Sequence, residues 1–530
     1  MRRLVYVVAV GVLAALAGLA YLSSRVSDEA VLRAAAERIA VLTGNRIEVR
    51  GATTISFFPL PRFEMRDVVL APRFTEKSDV VASIDVMRGS VAVLPLLIGQ
   101  ITLKDFILVR PRINLAVDRR GRPNWTRARR GDGEEESAEG NSDLNSGNAL
   151  GEDPAIPDAL LGSFRVRDGS LTYDSERTGT RQTITSIDAT VSWARLASPL
   201  AASGSLIWNG EAVRFDLSAD TPLDFMNHGS SPTRIRFDSG VVNVDFSGKA
   251  HYTTDSQLEG TVALSAPSTR GLLRWIGTDL GTGPGLNAID LSGTLNLIGK
   301  SLSLSDLSLD LDGNEAEGVI KITLGENRTG LQGTLAFDAL DIGVYKSSTS
   351  SGDGDAAAAV PETTMSTVVD LSVLERLNVD LRVSAGNVSY GNLTLGRSAG
   401  TVTVRKGVID LGVGEAELYG GMAQGTISAG PAPEGVQIKV ALGVGKTDIG
   451  PLLTALTGSA RSSGPTTARI DLSGAGRTVS DIVADLTGVA KLAISPGDIY
   501  GIDVEKLLTA LETGSVEGWP STTAVTALDK

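Results

Sequence analysis

Ile289-Asp290-Leu291-Ser292-Gly293-Thr294-Leu295-Asn296-Leu297 and, after a short Gly-containing turn, Leu302-Ser303-Leu304-Ser305-Asp306-Leu307-Ser308-Leu309-Asp310-Leu311 decide how this chain folds. In both runs apolar residues recur at every second position. Alternate side chains of an extended strand point to the same face. Ile289, Leu291, Leu295, Leu297, Leu302 and Leu304 are therefore read as one apolar face of a sheet, with Asp290, Ser292 and Asn296 on the other. The parity slips between Leu304 and Leu307, and a bulge or bend is the simplest cause.

The same alternation extends outward in both directions. Arg46-Ile47-Glu48-Val49-Arg50, Ile101-Thr102-Leu103 and Ile113-Asn114-Leu115-Ala116-Val117 all carry it, with a second slip between Leu103 and Phe106. The chain's 60 glycines, at short intervals, supply hairpin turns. The expected fold is mainly β: a repeating antiparallel sheet with a few short helices as caps. Helices are expected over Ser27–Thr43, Ser268–Ile276, Thr478–Leu486 and Asp503–Leu511, each opened by Ser, Thr or Asp. Weak internal repeats suggest one strand-pair unit used again. Arg165–Tyr173 resembles Arg382–Tyr390, Ile289–Gly293 recurs as Ile470–Gly474, and Asp341-Ile342-Gly343 recurs as Asp448-Ile449-Gly450.

Ahead of the strands, Leu4 to Leu22 is an apolar run behind Arg2 and Arg3. As a helix it reaches about 28 Å, close to the hydrocarbon thickness of a bilayer. The arginines set the N-terminus on the cytoplasmic side and the remainder across the membrane. A cleaved signal peptide, cut near Ala15-Leu16-Ala17, is the rival reading. Two stretches read as linkers by composition, Arg130–Pro157 and Ser347–Pro361, both rich in Gly, Ser and acidic residues.

Composition narrows the function classes. A net charge of −13 argues against nucleic acid as a partner, because that needs clustered cations. With no cysteine, disulfides, thiol nucleophiles and thiolate metal sites are excluded, and the two histidines, His228 and His251, sit in unrelated contexts. Gly299-Lys300-Ser301 lacks the first glycine of a phosphate loop, since Thr294 stands there, and lies between strands. Asp310-Leu311-Asp312-Gly313-Asn314 fails the calcium-loop spacing and reads as a hairpin turn. No catalytic, metal or cofactor residue is expected, and the chain reads as a non-enzyme. Phe57-Phe58-Pro59 is read as a hairpin tip or core contact in preference to a membrane contact.

A long sheet with one apolar face has two uses. Closed on a second sheet it is an ordinary sandwich core; curled and partly open it is a groove that can shelter hydrocarbon. Each sheltered CH₂ is worth about 0.8 kcal/mol, so an acyl chain leaving a bilayer needs such a surface along its whole length. The six residues above are the groove candidates.

The ordered series Ile47-Glu48-Val49-Arg50-Gly51, Phe57-Phe58-Pro59, Arg66–Ala71, Ala82-Ser83-Ile84-Asp85, Leu94-Pro95-Leu96-Leu97, Pro111–Leu115, Gly121–Trp125, Leu340–Tyr345 and Thr478–Gly501 resembles the bacterial AsmA family over nearly the whole chain. The resemblance implies an elongated, curled β-groove and one N-terminal transmembrane helix in the inner membrane, with the bulk of the chain periplasmic. It also implies passive conduction of phospholipid toward the outer membrane, supporting its integrity. The alternative is a non-enzymatic scaffold or assembly factor for outer-membrane proteins, with outer-membrane components as partners. The corresponding division is an anchor over 1–26, an N-terminal α/β module over 27–127 and a linker over 128–160. A central groove region follows over 161–345, then a linker over 346–366, a C-terminal β region over 367–512 and a polar tail over 513–530. Family members continue past Leu511 with further strands, so the sheet is expected to present a bare edge near this end.

Overall fold

The computed structural model describes residues 46–56, 62–71, 80–91, 103–119, 121, 123–124, 160–177, 179–252, 256–281, 283–325, 328–345, 368–459, 462–494, 496–500 and 525–528. The expected membrane segment, the helices over Ser27–Thr43 and Asp503–Leu511, Phe57-Phe58-Pro59 and both linkers lie outside the described residues. No helix among the described residues is long and apolar enough to cross a membrane. The fold is mainly β. Among the described residues, twenty-four strands are hydrogen-bonded into one large, mostly antiparallel sheet and three more into a small one.

The chain divides into two units, residues 1–257 and 258–530. In the first, β1 (Arg46–Val49) and β2 (Thr53–Ser56) both pair with β3 (Arg62–Ala71). There follow β4 (Ala82–Val91), β5 (Leu103–Val117), β6 (Leu160–Ser175), β7 (Thr180–Arg195), β8 (Leu200–Trp208) and β9 (Glu211–Ala219). Helix α1 (Pro222–Met226), β10 (Ser230–Ser239) and β11 (Asn243–Tyr252) come next, and β12 (Ser256–Ala266) crosses the boundary. From β3 to β11 each strand pairs with the next, antiparallel except between β5 and β6.

The second unit opens with α2 (Thr269–Trp275), β13 (Ile289–Ile298), β14 (Ser301–Leu311), β15 (Asn314–Leu324) and β16 (Thr329–Asp341). It continues through β17 (Leu377–Tyr390), β18 (Leu393–Leu395), β19 (Ser398–Arg405), β20 (Val408–Leu418), β21 (Gly421–Ala432) and β22 (Gly435–Asp448). Helix α3 (Ile449–Thr457), β23 (Ser462–Ser463), β24 (Pro465–Gly476), α4 (Val479–Ala484) and β25 (Thr487–Ile494) follow. Last come β26 (Gly497–Tyr500) and β27 (Val525–Leu528), the latter inside the stretch read from sequence as a polar tail. Here too the neighbours are antiparallel with one exception, β16 beside β17. A parallel neighbour must start from the end where its predecessor started, so the chain has to return along the strand. Both expected linkers fall at these two returns.

Local chemistry accounts for the element ends. Asp312 (φ 57°) and Gly313 (φ 82°) form the two-residue turn joining β14 to β15, where both central residues need positive φ. The hairpin reading of Asp310–Asn314 is thus what the structure shows. Ser268 accepts the Gly271 N–H at 3.0 Å to start α2. Thr478 and Asp481 form a reciprocal capping box on α4, at 3.1 and 3.0 Å. Both parity slips are register shifts. One lies between Leu304 and Leu307, with Asp306 at φ 48°; the other lies opposite Gly89/Ser90, with Asp105 at φ 32°. Aspartate tolerates the left-handed region that such bulges use.

Candidate functional site

Pairing partners in a sheet share a face, so the register converts one-dimensional alternation into rows that cross the strands. In the second unit one such row runs Leu295, Leu304, Ile320, Gly333, Leu381, Val402, Leu411, Ile427, Val440, Leu472, Gly488. It crosses eleven strands without a polar side chain. At ~4.8 Å per step it extends about 48 Å along the sheet. The rows on either side, through Leu302, Leu331 and Val404 and through Leu307, Leu335 and Leu442, carry no charge either. The first unit has its own row: Phe63, Gly89, Phe106, Phe164, Val191, Ala202, Leu217, Ile235, Phe246. There the Phe63 and Phe106 rings meet edge to face at 6.1 Å across Gly89.

The six residues expected from sequence lie together at the start of this surface. Ile289 faces Leu311, Leu291 faces Leu309, Leu295 faces Leu304, and Leu297 faces Leu302. Leu295 and Leu304 are buried, at 8% and 5% exposure, and the other four are half-buried. Sequence reasoning missed the continuation through β15 to β25. The alternation of Ile320-Lys321-Ile322 and Ile438-Lys439-Val440 carried the same signal, but which strands adjoin was not readable from it.

Burial separates the two uses of an apolar face. Leu381, Val402, Ile427, Val440 and Leu472, mid-row, are only half-buried, and Leu411 is 36% exposed. A face packed against a second sheet would leave such side chains nearly inaccessible. The glycines show how the partial cover arises. A Cβ on Gly318 or Gly333 would run into the carbonyl oxygen of Thr334 or Val319 on the paired strand. The strands there fold toward their apolar face, and residues of that face shield one another.

The opposite face is polar and carries cross-strand ion pairs. In the first unit Glu64 accepts from Arg88 at 2.9 Å and Arg66 at 3.0 Å, which hold its carboxyl below the usual range, Arg88 foremost. Asp85 takes Arg110 at 2.7 Å and Arg112 at 3.1 Å, and Arg236 bonds Asp245 at 2.6 Å. These pairs are exposed and contribute little to stability individually. In the second unit a hollow of about 920 Å³ is lined by Met422, Gly425, Leu442, Ala468 and Ile470 together with Glu415, Arg469 and Asp471; none of the six expected residues reaches it.

The model of the AsmA family matches two regions, residues 32–214 and 317–528, which together make up most of the chain. The chain belongs to the AsmA family. Each matched region contains one parallel junction, β5–β6 in the first and β16–β17 in the second. The repeat Arg165–Tyr173 and Arg382–Tyr390 lies on β6 and β17, the strands that follow those junctions. The six groove candidates fall between the two AsmA matches. No curated protein and no solved structure matches the chain.

Proposed function

We propose that this AsmA-family chain is a single-pass inner-membrane protein whose periplasmic β-sheet forms a curled, elongated groove that passively conducts phospholipid toward the outer membrane. The observation that carries this reading is the uncharged row from Leu295 to Gly488, half-buried through its middle on a face that no second sheet closes among the described residues. Acyl chains lie against the row while headgroups stay at the wet, polar rim. Transfer along it needs no catalytic residue and no cofactor, only continuity: at about 0.8 kcal/mol per CH₂, a single charged or polar step would interrupt the path. The segment Leu4–Leu22, as the anchor, sets one end of the path at the lipid source. Family membership suggests a role in outer-membrane biogenesis or lipid transport, which agrees with this assignment.

The test is lipid occupancy. Protein purified in mild detergent is expected to carry phospholipid detectable by mass spectrometry, and photoreactive residues at Leu291 and Leu304 are expected to crosslink to it. Delipidated protein that takes up no phospholipid from vesicles, with no lipid crosslink at either position, overturns the reading.

A further inference from the structure

We propose that β25 is a docking edge for an extended strand of another protein, one that presents apolar residues on the face of Ala490 and Leu492 and an acidic residue beside Lys491. Strand β25 pairs with β24 from Thr466↔Ile494 to Ser473↔Thr487. Every residue of it except Ile494 is exposed, with Leu492 at 62% and Val489 at 54%.

The backbone identifies the kind of ligand. A Cβ on Gly488 would stand 2.9 Å from the Leu472 Cα and against the Asp471 carbonyl oxygen. That is the arrangement of a non-hydrogen-bonded antiparallel pair, in which the preceding carbonyl, Asp471's, turns toward β25. The N–H and C=O of Gly488, and by the two-residue repeat those of Ala490 and Leu492, therefore point away from β24. A row of outward donors and acceptors at strand spacing is matched by another extended backbone, whereas hydrocarbon would leave it unpaired.

The same line of the sheet already accepts a strand one step further along. Strand β26 follows β25 and pairs with β23, which directly precedes β24. Strand β27 occupies the other side of β26, with Gly497 opposite Leu528. Among the described residues, nothing fills the corresponding side of β25.

Charge favours an acidic partner over a second copy. Lys491 lies directly across from Arg469, whose guanidinium is held by Asp471 at 3.2 Å; Lys491 has no anionic partner among the described residues. Two copies joined edge to edge with Ala490 opposite Ala490 or Leu492 would set both lysines diagonally or directly across from each other, which is unfavourable.

Fluorescence anisotropy of the full-length chain with two labelled peptides, one alternating valine and glutamate and one alternating valine and lysine, tests the proposal. The glutamate peptide is expected to bind and the lysine peptide not. Ala490→Pro removes an outward N–H but spares the β24 pairing, and is expected to weaken binding about tenfold or more while the circular dichroism spectrum is retained. Lys491→Glu is expected to reverse the peptide preference. Binding of neither peptide, or binding indifferent to both substitutions, overturns the proposal. So does a wild-type dimer that Ala490→Pro dissociates in light scattering, which would assign the edge to a second copy. Phospholipid uptake by Lys491→Glu, whose side chain is on the face opposite the apolar row, is expected to be unchanged, so failure here and failure of the groove reading are separable.

Discussion

Gly318 on β15 stands directly across from Leu335 on β16, so close that a methyl group on Gly318 would lie 3.2 Å from the Leu335 Cα and against the Thr334 carbonyl oxygen. Two residues away the relation is reversed, with Gly333 opposite Ile320. In each pair a large side chain takes the space over a bare backbone. The strands can fold toward their apolar face only because the facing residue has no Cβ.

Gly318→Ala is therefore expected to destabilise the protein by about 1–3 kcal/mol, since the neighbouring group is backbone and cannot swing aside. Gly445, on β22, has nothing within 4 Å of its would-be Cβ and an ordinary φ. Gly445→Ala is expected to be neutral or to stabilise by about 0.4–1 kcal/mol through the unfolded chain. Urea midpoints of the two variants check the contrast; equal effects would show that the apolar-face glycines are not close-approach sites.

Asp312 ties the lead-in of β13 to the β14–β15 turn, its carboxylate accepting the N–H groups of Leu286 and Asn287, each at 2.7 Å. Asp312→Ala removes both charge-assisted bonds and puts alanine at positive φ. A loss of about 2–4 kcal/mol is expected. Hydrogen exchange at Leu286 and Asn287 should accelerate while α4, elsewhere in the unit, keeps its protection.

The capping box on α4 gives the stability a defined pH dependence. Hydrogen bonds to Thr478, side chain first and backbone second, hold the Asp481 carboxyl below its ordinary value. A carboxylate depressed on folding contributes stability above its unfolded pKa, near 3.9, and that contribution is lost as pH falls through the lower folded value. Asp481→Asn removes the titration. Wild type and variant are expected to differ at neutral pH and to converge below about pH 4 in denaturant titrations; a constant difference would place the effect elsewhere.

What was legible in the chain was what is local. Period-two alternation marked β13 and β14, the Asp-Gly pair marked their next turn, and broken parity located the bulges at Asp306 and Asp105. Ser268 and Thr478 announced two helices, each capping the helix that starts at the next residue by accepting an N–H three residues on. The parallel junctions were not legible, because whether β16 meets β17 depends on a partner beyond a long connection and leaves no local trace. Gly318 and Gly333 resemble turn glycines on paper, yet they lie inside strands where the neighbouring backbone comes close. Val525-Thr526-Ala527-Leu528 is too short and too near polar residues to stand out, although it forms β27. The six candidates marked the start of the apolar row for the same reason: each hairpin is local, and the register across eleven strands is not.

Adjacent residues on opposite faces give the sharpest test of that row. Val402 is half-buried at its middle, paired with Leu381 and Leu411; Thr401, the preceding residue, is exposed on the polar face beside Arg382 and Gly412. A carboxylate at 402 would have to remain hydrated among apolar side chains, which acyl chains cannot share without leaving it unpaired. At 401 it would meet water and a guanidinium. Val402→Asp is therefore expected to abolish phospholipid uptake from vesicles beyond whatever stability it loses, and Thr401→Asp to leave uptake at the wild-type level. Because an aspartate could weaken the fold itself, Val402→Ala, which shortens the side chain without adding charge, serves as the third arm and is expected to retain most uptake. If Thr401→Asp proves the damaging change, lipid travels on the polar face and the row from Leu295 to Gly488 is only a core.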